Sequence, residues 1–391
     1  MAIRTALTQA HPVSALIARG IALPAPEQVY VDRTVDLERV QSGATLCPGA
    51  RIAGADTFIG AGALIGSEGP ATLIDCAIDA DAEVCSGFAE GTVLFRGAKL
   101  GGSGHARPAT ILEEFASTAH AVGLKQTVLM SYATLGSVIN ACDLLVSGGT
   151  SKDDHSEIGS GFIHFNFTPW GERGDKATPS LVGNVQEGAF LHRRRVFVGG
   201  LSGLVGPGEV GFGSVTAAGQ VIRRKVGADR LWATAPPTID RERNDGPLSA
   251  INPVKLQANH HYVGQLCALR AWYVQVRCAR QAHFGPTGEV LPEVLAAGVR
   301  AIDRMIVERL ARLRQYCPDN RLATDVFVAD LDARGVAPDD FVMAAFAHRP
   351  DAAHLDWVRS LEAEAVEAGV AWLRAVSVDA ATRLAAQLPA A

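Results

Sequence analysis

The 391-residue chain is short of aromatic side chains (6%) and of charge (20%). With 48% hydrophobic residues it still reads as a soluble globular chain rather than a disordered one. It contains no run of 18 apolar residues, so no transmembrane helix is expected. The first residues, interrupted by His11 and Arg19, lack the unbroken apolar core of a signal peptide. Its seven cysteines are scattered, odd in number and without a CxxC pair, which argues against a disulfide framework. Reduced thiols in a cytoplasm are therefore expected. A net charge of -5 and a pI near 6.1 give no broad positive field for nucleic acid or an anionic membrane. A local basic pocket for a phosphorylated ligand remains compatible with that balance.

Glycine is abundant but unevenly placed. Residues 1–227 hold 33 of the 40 glycines. The first region is thus rich in turns. The remainder can form long helices, in which an interior glycine costs about 1 kcal/mol. The polar, proline-flanked run from Ala235 to Pro247 reads as a connector.

Within the first region, Val40, Leu46, Ile52, Phe58 and Leu64 recur every six residues. So do Phe88, Leu94 and Leu100, and Val198, Leu204, Val210, Thr216 and Ile222. Small residues such as Gly60, Gly66, Gly206 and Ala218 follow two places later. A six-residue period suits neither an α-helix nor a flat alternating strand, but it suits a β-helix whose coils contain three short strands. A β-sandwich would instead show turns every 8–12 residues or so. The hexad weakens between Arg107 and His192, where loops or irregular coils are expected.

The C-terminal region carries helical stripes. They are Tyr262, Leu266, Leu269, Tyr273 and Val276; Leu295, Val299, Ile302, Ile306, Leu310 and Leu313; and Val366, Val370 and Leu373. Pro253 suits a first helical turn, and Asp351 is the expected N-cap of the last helix. The expected fold is mainly β with an α-helical C-terminal region. An N-terminal cap occupies residues 1–28, a parallel β-helix 29–230, a linker 231–247 and a helical domain 248–391.

Polar and ionisable residues concentrate in residues 148–180, where the hexad lapses. There, Asn166 with its aromatic neighbours and Lys176 precede Val196-Phe197-Val198-Gly199, Leu204-Val205-Gly206-Pro207 and Ala217-Ala218-Gly219. In this order they resemble the acetyltransferase domain of bifunctional glucosamine-1-phosphate acetyltransferase/uridyltransferases. That resemblance covers residues 30–230 and is strongest over 158–222. It implies a left-handed hexapeptide-repeat β-helix, a homotrimer, and acetyl-CoA as co-substrate. It also implies an active-site role for Asn166, sugar-phosphate binding by Lys176, and an acetyl-CoA groove lined by Ser160 and Ala218, with Gly200 in place of a serine. The family's catalytic histidine has no match, since Ser137-Val138-Ile139-Asn140-Ala141-Cys142-Asp143 occupies its region. Asn140 is carried as a substrate-binding candidate. The family's nucleotide-transfer domain has no counterpart in these residues, so uridylyl transfer is not expected of them.

Acyl transfer needs a general base and donors for the tetrahedral oxyanion. An imidazole suits the base role near neutral pH. His155 is the first candidate, with Asp153, Asp154 and Glu157 as orienting carboxylates; positions 155 and 157 share a face on a strand. His164, which shares a face with Asn166, is the second. Arg223 and Arg224 could meet CoA phosphates, whereas Arg193-Arg194-Arg195 reads as a solvated turn. A zinc site assembled from His155, His164 and His192 is the metal alternative, without any ligand pair of recognised spacing. A non-catalytic sugar-nucleotide-binding or assembly protein of the same fold is the other. No partner beyond a small-molecule substrate and further copies of the chain is expected.

Overall fold

The computed structural model describes residues 12–163, 179–235, 240, 253–284, 291–316, 327, 336–338, 343–344 and 352–387. A short helix α1 (Pro12–Ala18) precedes a parallel β-solenoid of about ten turns, and helices follow it. This is the mainly β architecture with a helical C-terminal region that the hexad and the stripes predict.

Each coil passes through three faces in turn. Along the third face, ten strands stack from Thr45–Leu46 to Leu231–Trp232, with Thr45, Leu64, Glu83 and Lys99 as successive parallel partners. The first face runs from Tyr30–Val31 to Val221–Ile222, and the second from Phe58–Ile59 to Gly208–Val210. Val122–Leu129 and Ile139–Val146 each continue from the first face onto the second as one strand. They bend at Gln126 and Asp143, which adopt left-handed φ of 50° and 54°.

Val198, Leu204, Val210, Thr216 and Ile222 all point into the solenoid, as their spacing predicts. The first run keeps its register only through Val40, Leu46 and Ile52. Ile59 and Ile65 then fill the core in place of the expected Phe58 and Leu64. The turn at residues 54–57 carries one extra residue, and a one-residue slip exchanges the faces of every side chain after it. Phe58 is buried instead on the outside, against helices. Likewise Ala89, not Phe88, points inward.

The repeat does not lapse at Arg107. Ala106, Leu112, Thr118, Leu124, Leu129, Leu135, Ala141 and Val146 carry the core onward, all buried. Alanine and threonine at several of these positions mask the apolar period.

Seven helices are described, the first being α1. Then come α2 (Val185–Gly188), α3 (Pro253–Ala271), α4 (Ala279–Phe284), α5 (Pro292–Tyr316), α6 (His354–Arg359) and α7 (Ala363–Gln387). Pro253 opens α3 as expected. Asp351 lies outside the described residues, and the last helix begins only at Ala363, so it is not capped from position 351. Between α3 and α4, Trp272–Cys278 forms a π-helix, which the regular stripe through Tyr273 and Val276 did not foretell. π-turns widen a helix locally and often mark functional or strained contacts. Here the segment sends Tyr273 and Arg277 onto the adjacent carboxylates of the second face. The Tyr273 hydroxyl donates to Glu113 at 2.7 Å, and Arg277 bridges Glu114 and Glu113.

Two cores result. One fills the solenoid; the other lies between its second face and the helices, joining Phe95, Ile111, Val128 and Leu145 to Trp272, Tyr273, Ile306 and Trp357. Each fully buried aliphatic or aromatic side chain contributes roughly 1.5–3 kcal/mol. The described helices thus cover the second solenoid face and not the first.

Candidate functional site on the uncovered face

On the first face, Phe88, His105, Gly123, Asn140 and Phe162 are parallel partners on five successive coils. His105 and Asn140 are exposed, and Phe162 is 56% exposed. The His105 ring stacks on Phe88, with centroids 5.1 Å apart. Gly123 contributes no side chain, so the ladder is interrupted between His105 and Asn140. A cavity of about 330 Å³ opens there, bounded also by Arg107 and Val138. A Cβ at position 123 would sit 3.7 Å from the Asn140 Oδ1, inside that gap.

Arg107 is tied to the next coil through its backbone N–H, which donates to the Leu124 carbonyl at 2.9 Å. Its guanidinium lies 3.5 Å from the Cys142 Sγ, whose thiol is pushed up chiefly by burial. Among the described residues no carboxylate pairs with Arg107. The neighbouring cation is handled differently: Lys125 pairs with Glu308 of α5 at 2.9 Å. Just behind, the buried Asp143 carboxylate is held by Arg309 and Arg312 of the same helix. The cavity therefore presents a guanidinium without a carboxylate partner among the described residues, an imidazole, an amide and an aromatic ring. That set suits a small anionic ligand with a planar or ring portion.

The expected residues fall into two further groups. His155 sits at the start of the third face. Its Nδ1 donates to the Lys152 carbonyl at 2.6 Å, and its Nε2 lies 4.0 Å from Glu157. Ser156 between them points inward, its Oγ donating to the Ser147 carbonyl, so 155 and 157 do share the outer face. Asp154 is drawn away, accepting from Thr150 and lying 3.7 Å from Arg195. The loop is pinned by the helices, since Arg359 of α6 donates to the Thr150 carbonyl at 3.0 Å.

Ser160, Gly200 and Ala218 stack on successive coils at the corner between the third and first faces. The Ser160 Oγ accepts from the Leu201 N–H at 2.7 Å, and the Gly219 N–H donates to the Gly200 carbonyl at 2.9 Å. A Cβ at Gly200 would come to 3.0 Å from the Ser160 Oγ, so the glycine there relieves crowding. Arg223 and Arg224 are exposed just beyond the strand Val221–Ile222. Arg193, Arg194 and Arg195 each meet a carboxylate: Glu187, Asp229 and Asp154 respectively. His164, Asn166 and Lys176 lie outside the described residues. His192 is exposed, and desolvation by its surroundings lowers its pKa. Among the described residues no three His, Cys, Asp or Glu side chains converge as a metal site.

His105 and Arg107 are absent from the sequence candidates. Their signal is that they flank the inward Ala106 one coil below Gly123, which the supposed lapse at Arg107 concealed.

The chain is 29% identical over 218 residues to a bifunctional protein GlmU of Nocardia farcinica, covering 56% of this chain and 39% of the relative. It is 29% identical over 228 residues to that of Pelobacter propionicus, 58% and 44% respectively. Over more than half its length, the chain is similar to bifunctional GlmU proteins. It spans about 40% of their length, as one domain of such a protein would. No family model matches it. The likeness and the solenoid together agree with the resemblance read from Asn166 and the Val196–Gly199 segment. Among the described residues no helix is long and apolar enough to cross a membrane.

Proposed function

We propose that the protein is an acyltransferase that moves an acetyl group from acetyl-CoA to a small anionic, sugar-phosphate-like acceptor. The observation that carries this reading is the first-face cavity, where Arg107, without a carboxylate partner among the described residues, lines the same gap at Gly123 as an imidazole and an amide. Arg107 anchors the acceptor's anionic group, Asn140 hydrogen-bonds it, and His105 takes the proton from the attacking amine or hydroxyl. The nucleophile's lone pair forms the new bond to the thioester carbon. The C–S bond then breaks, and the proton passes from the imidazole to the departing CoA thiolate. Acetyl-CoA would lie along the corner stacked by Ser160, Gly200 and Ala218, with Arg223 and Arg224 near its phosphates. Asn166 and Lys176 keep the positioning and acceptor-anchoring roles that the resemblance implies.

His155 is a second candidate base, favoured by its anchored Nδ1 and the nearby Glu157. It lies on the third face, away from Asn140, and serves that cavity only across a subunit boundary. We propose a homotrimer for this reason. Exposed Val138, Phe162, Leu201, Val221 and Leu231, up to 81% accessible, are suited to such packing. The six described cysteines are free thiols, which supports a cytoplasmic setting.

The alternative is a non-catalytic sugar-nucleotide-binding protein, favoured by the Ser137–Asp143 stretch that holds no histidine. Calorimetry with acetyl-CoA in the presence of chelator, followed by an acceptor screen, separates them. Saturable binding and thiol release support the transferase. Binding of sugar nucleotide without acetyl-CoA binding supports the alternative.

A further inference from the structure

We propose that the cavity between the last solenoid coils and helices α3 and α7 is a binding site for an uncharged saccharide. At about 610 Å³ it falls in the size range of small-molecule sites and is larger than the first-face cavity. It lies over the second face and shares no lining residue with the proposed acyl-transfer site. The proposal does not rest on that function.

The wall disfavours a charged ligand. Glu209 is paired with Lys225 at 2.8 Å, and Glu187 with Arg193 and Arg374, so these charges on the wall are already matched. Further hydrogen-bonding capacity lies on one stripe of α3: Gln257, His260 and His261. Burial is the first cause lowering the pKa of both imidazoles; the His261 Nε2 also lies 3.9 Å from the Glu209 carboxylate. His260 is only 7% exposed, and its Nε2 has no hydrogen-bond partner among the described residues. Unmatched buried polar atoms are uncommon in folded proteins and call for an explanation. The apolar part of the lining comes from Leu181 and Phe212 of the solenoid and from Val378, which is 58% exposed, and Ala381 of α7. Apolar lining beside an amide, two imidazoles and a paired carboxylate matches a sugar ring, which has C–H faces and hydroxyl edges. A lipid would leave the polar groups unmatched, and an anion would meet only cations already held by carboxylates among the described lining residues.

The test is ligand-observed NMR titration of the full chain with glucose, N-acetylglucosamine and maltose, with glucose 6-phosphate alongside. At least one neutral sugar should bind saturably. Its affinity should fall at least about tenfold in both Ala381→Trp and His261→Leu, hold in Asn140→Ala, and exceed that of the phosphorylated sugar. Melting curves establish that each variant is folded, and His261→Leu decides if Ala381→Trp is not. The proposal is overturned if no neutral sugar saturates, if binding survives folded His261→Leu, or if the phosphate ester binds equally well. Loss of binding in Asn140→Ala also overturns it, because the sugar would then occupy the first-face cavity.

Discussion

Lys125 and Glu308 meet at 2.9 Å across the boundary between solenoid and helix α5, whereas Arg107 of the first-face cavity has no carboxylate partner among the described residues. Lys125 is partnered one coil on with Cys142, the residue Arg107 touches. In Glu308→Gln, Lys125 is released beside Arg107. Inorganic phosphate should then bind several-fold more tightly and with a steeper dependence on salt, measured by calorimetry at two ionic strengths. An unchanged affinity would show that Lys125 does not reach the cavity.

The two imidazoles give separable outcomes. His105→Ala should lower kcat by a factor of about 10²–10⁴, as expected for loss of a general base. Arg107→Ala should chiefly raise KM for an anionic acceptor. If His155→Ala abolishes turnover and His105→Ala leaves it intact, the base belongs to the third face and comes from a neighbouring copy.

Asp79 gives a pH signature. Its carboxyl is buried under the helices, and burial raises its pKa to about 7, while its Oδ2 has no hydrogen-bond partner among the described residues. A raised folded-state value means that the folded chain binds the proton more tightly than the unfolded one. Asp79 therefore takes stability away as pH climbs from about 4 to about 7, by up to roughly 1.4 kcal/mol for each pH step of one. Asp79→Asn should accordingly raise Tm at pH 8, with the gain shrinking toward pH 4. Thermal melts across that range check the sign.

Arg277 is the counter-charge for two buried carboxylates, Glu113 and Glu114. Removing it strands them beneath the helices. Arg277→Ala should cost about 3–5 kcal/mol in denaturant unfolding, far more than a surface ion pair. The double change Glu113→Gln with Glu114→Gln in that background should restore part of the loss.

The proposed trimer has its own test. Leu201→Asp, at a site 81% exposed in the single chain, should leave the fold intact by circular dichroism and convert a trimer to monomers in sedimentation. A wild-type monomer would remove the intersubunit role of His155.

What the residues alone determined is periodic and local. Branched aliphatics every six positions from Val198 to Ile222 can be buried together only if each coil turns back on the last. The stripe from Tyr262 to Val276 can be buried only on a helix. Adjacent-residue chemistry was also readable, as in the outward pairing of His155 and Glu157. Register was not: the extra residue before Phe58 shifts the inward position to Ile59, and alanine or threonine at core positions hid the coils beyond Arg107. The candidate cavity was legible only in part. Asn140 was visible as a departure from the family pattern. His105, Arg107, Gly123 and Phe162 are separated by many residues and become neighbours only because successive coils stack in parallel. The union of helices with the second face was also left to tertiary structure. An apolar stripe states that a face must be covered, but only the positions of Glu113, Glu114 and Asp143 opposite Arg277 and Arg309 decide what covers it.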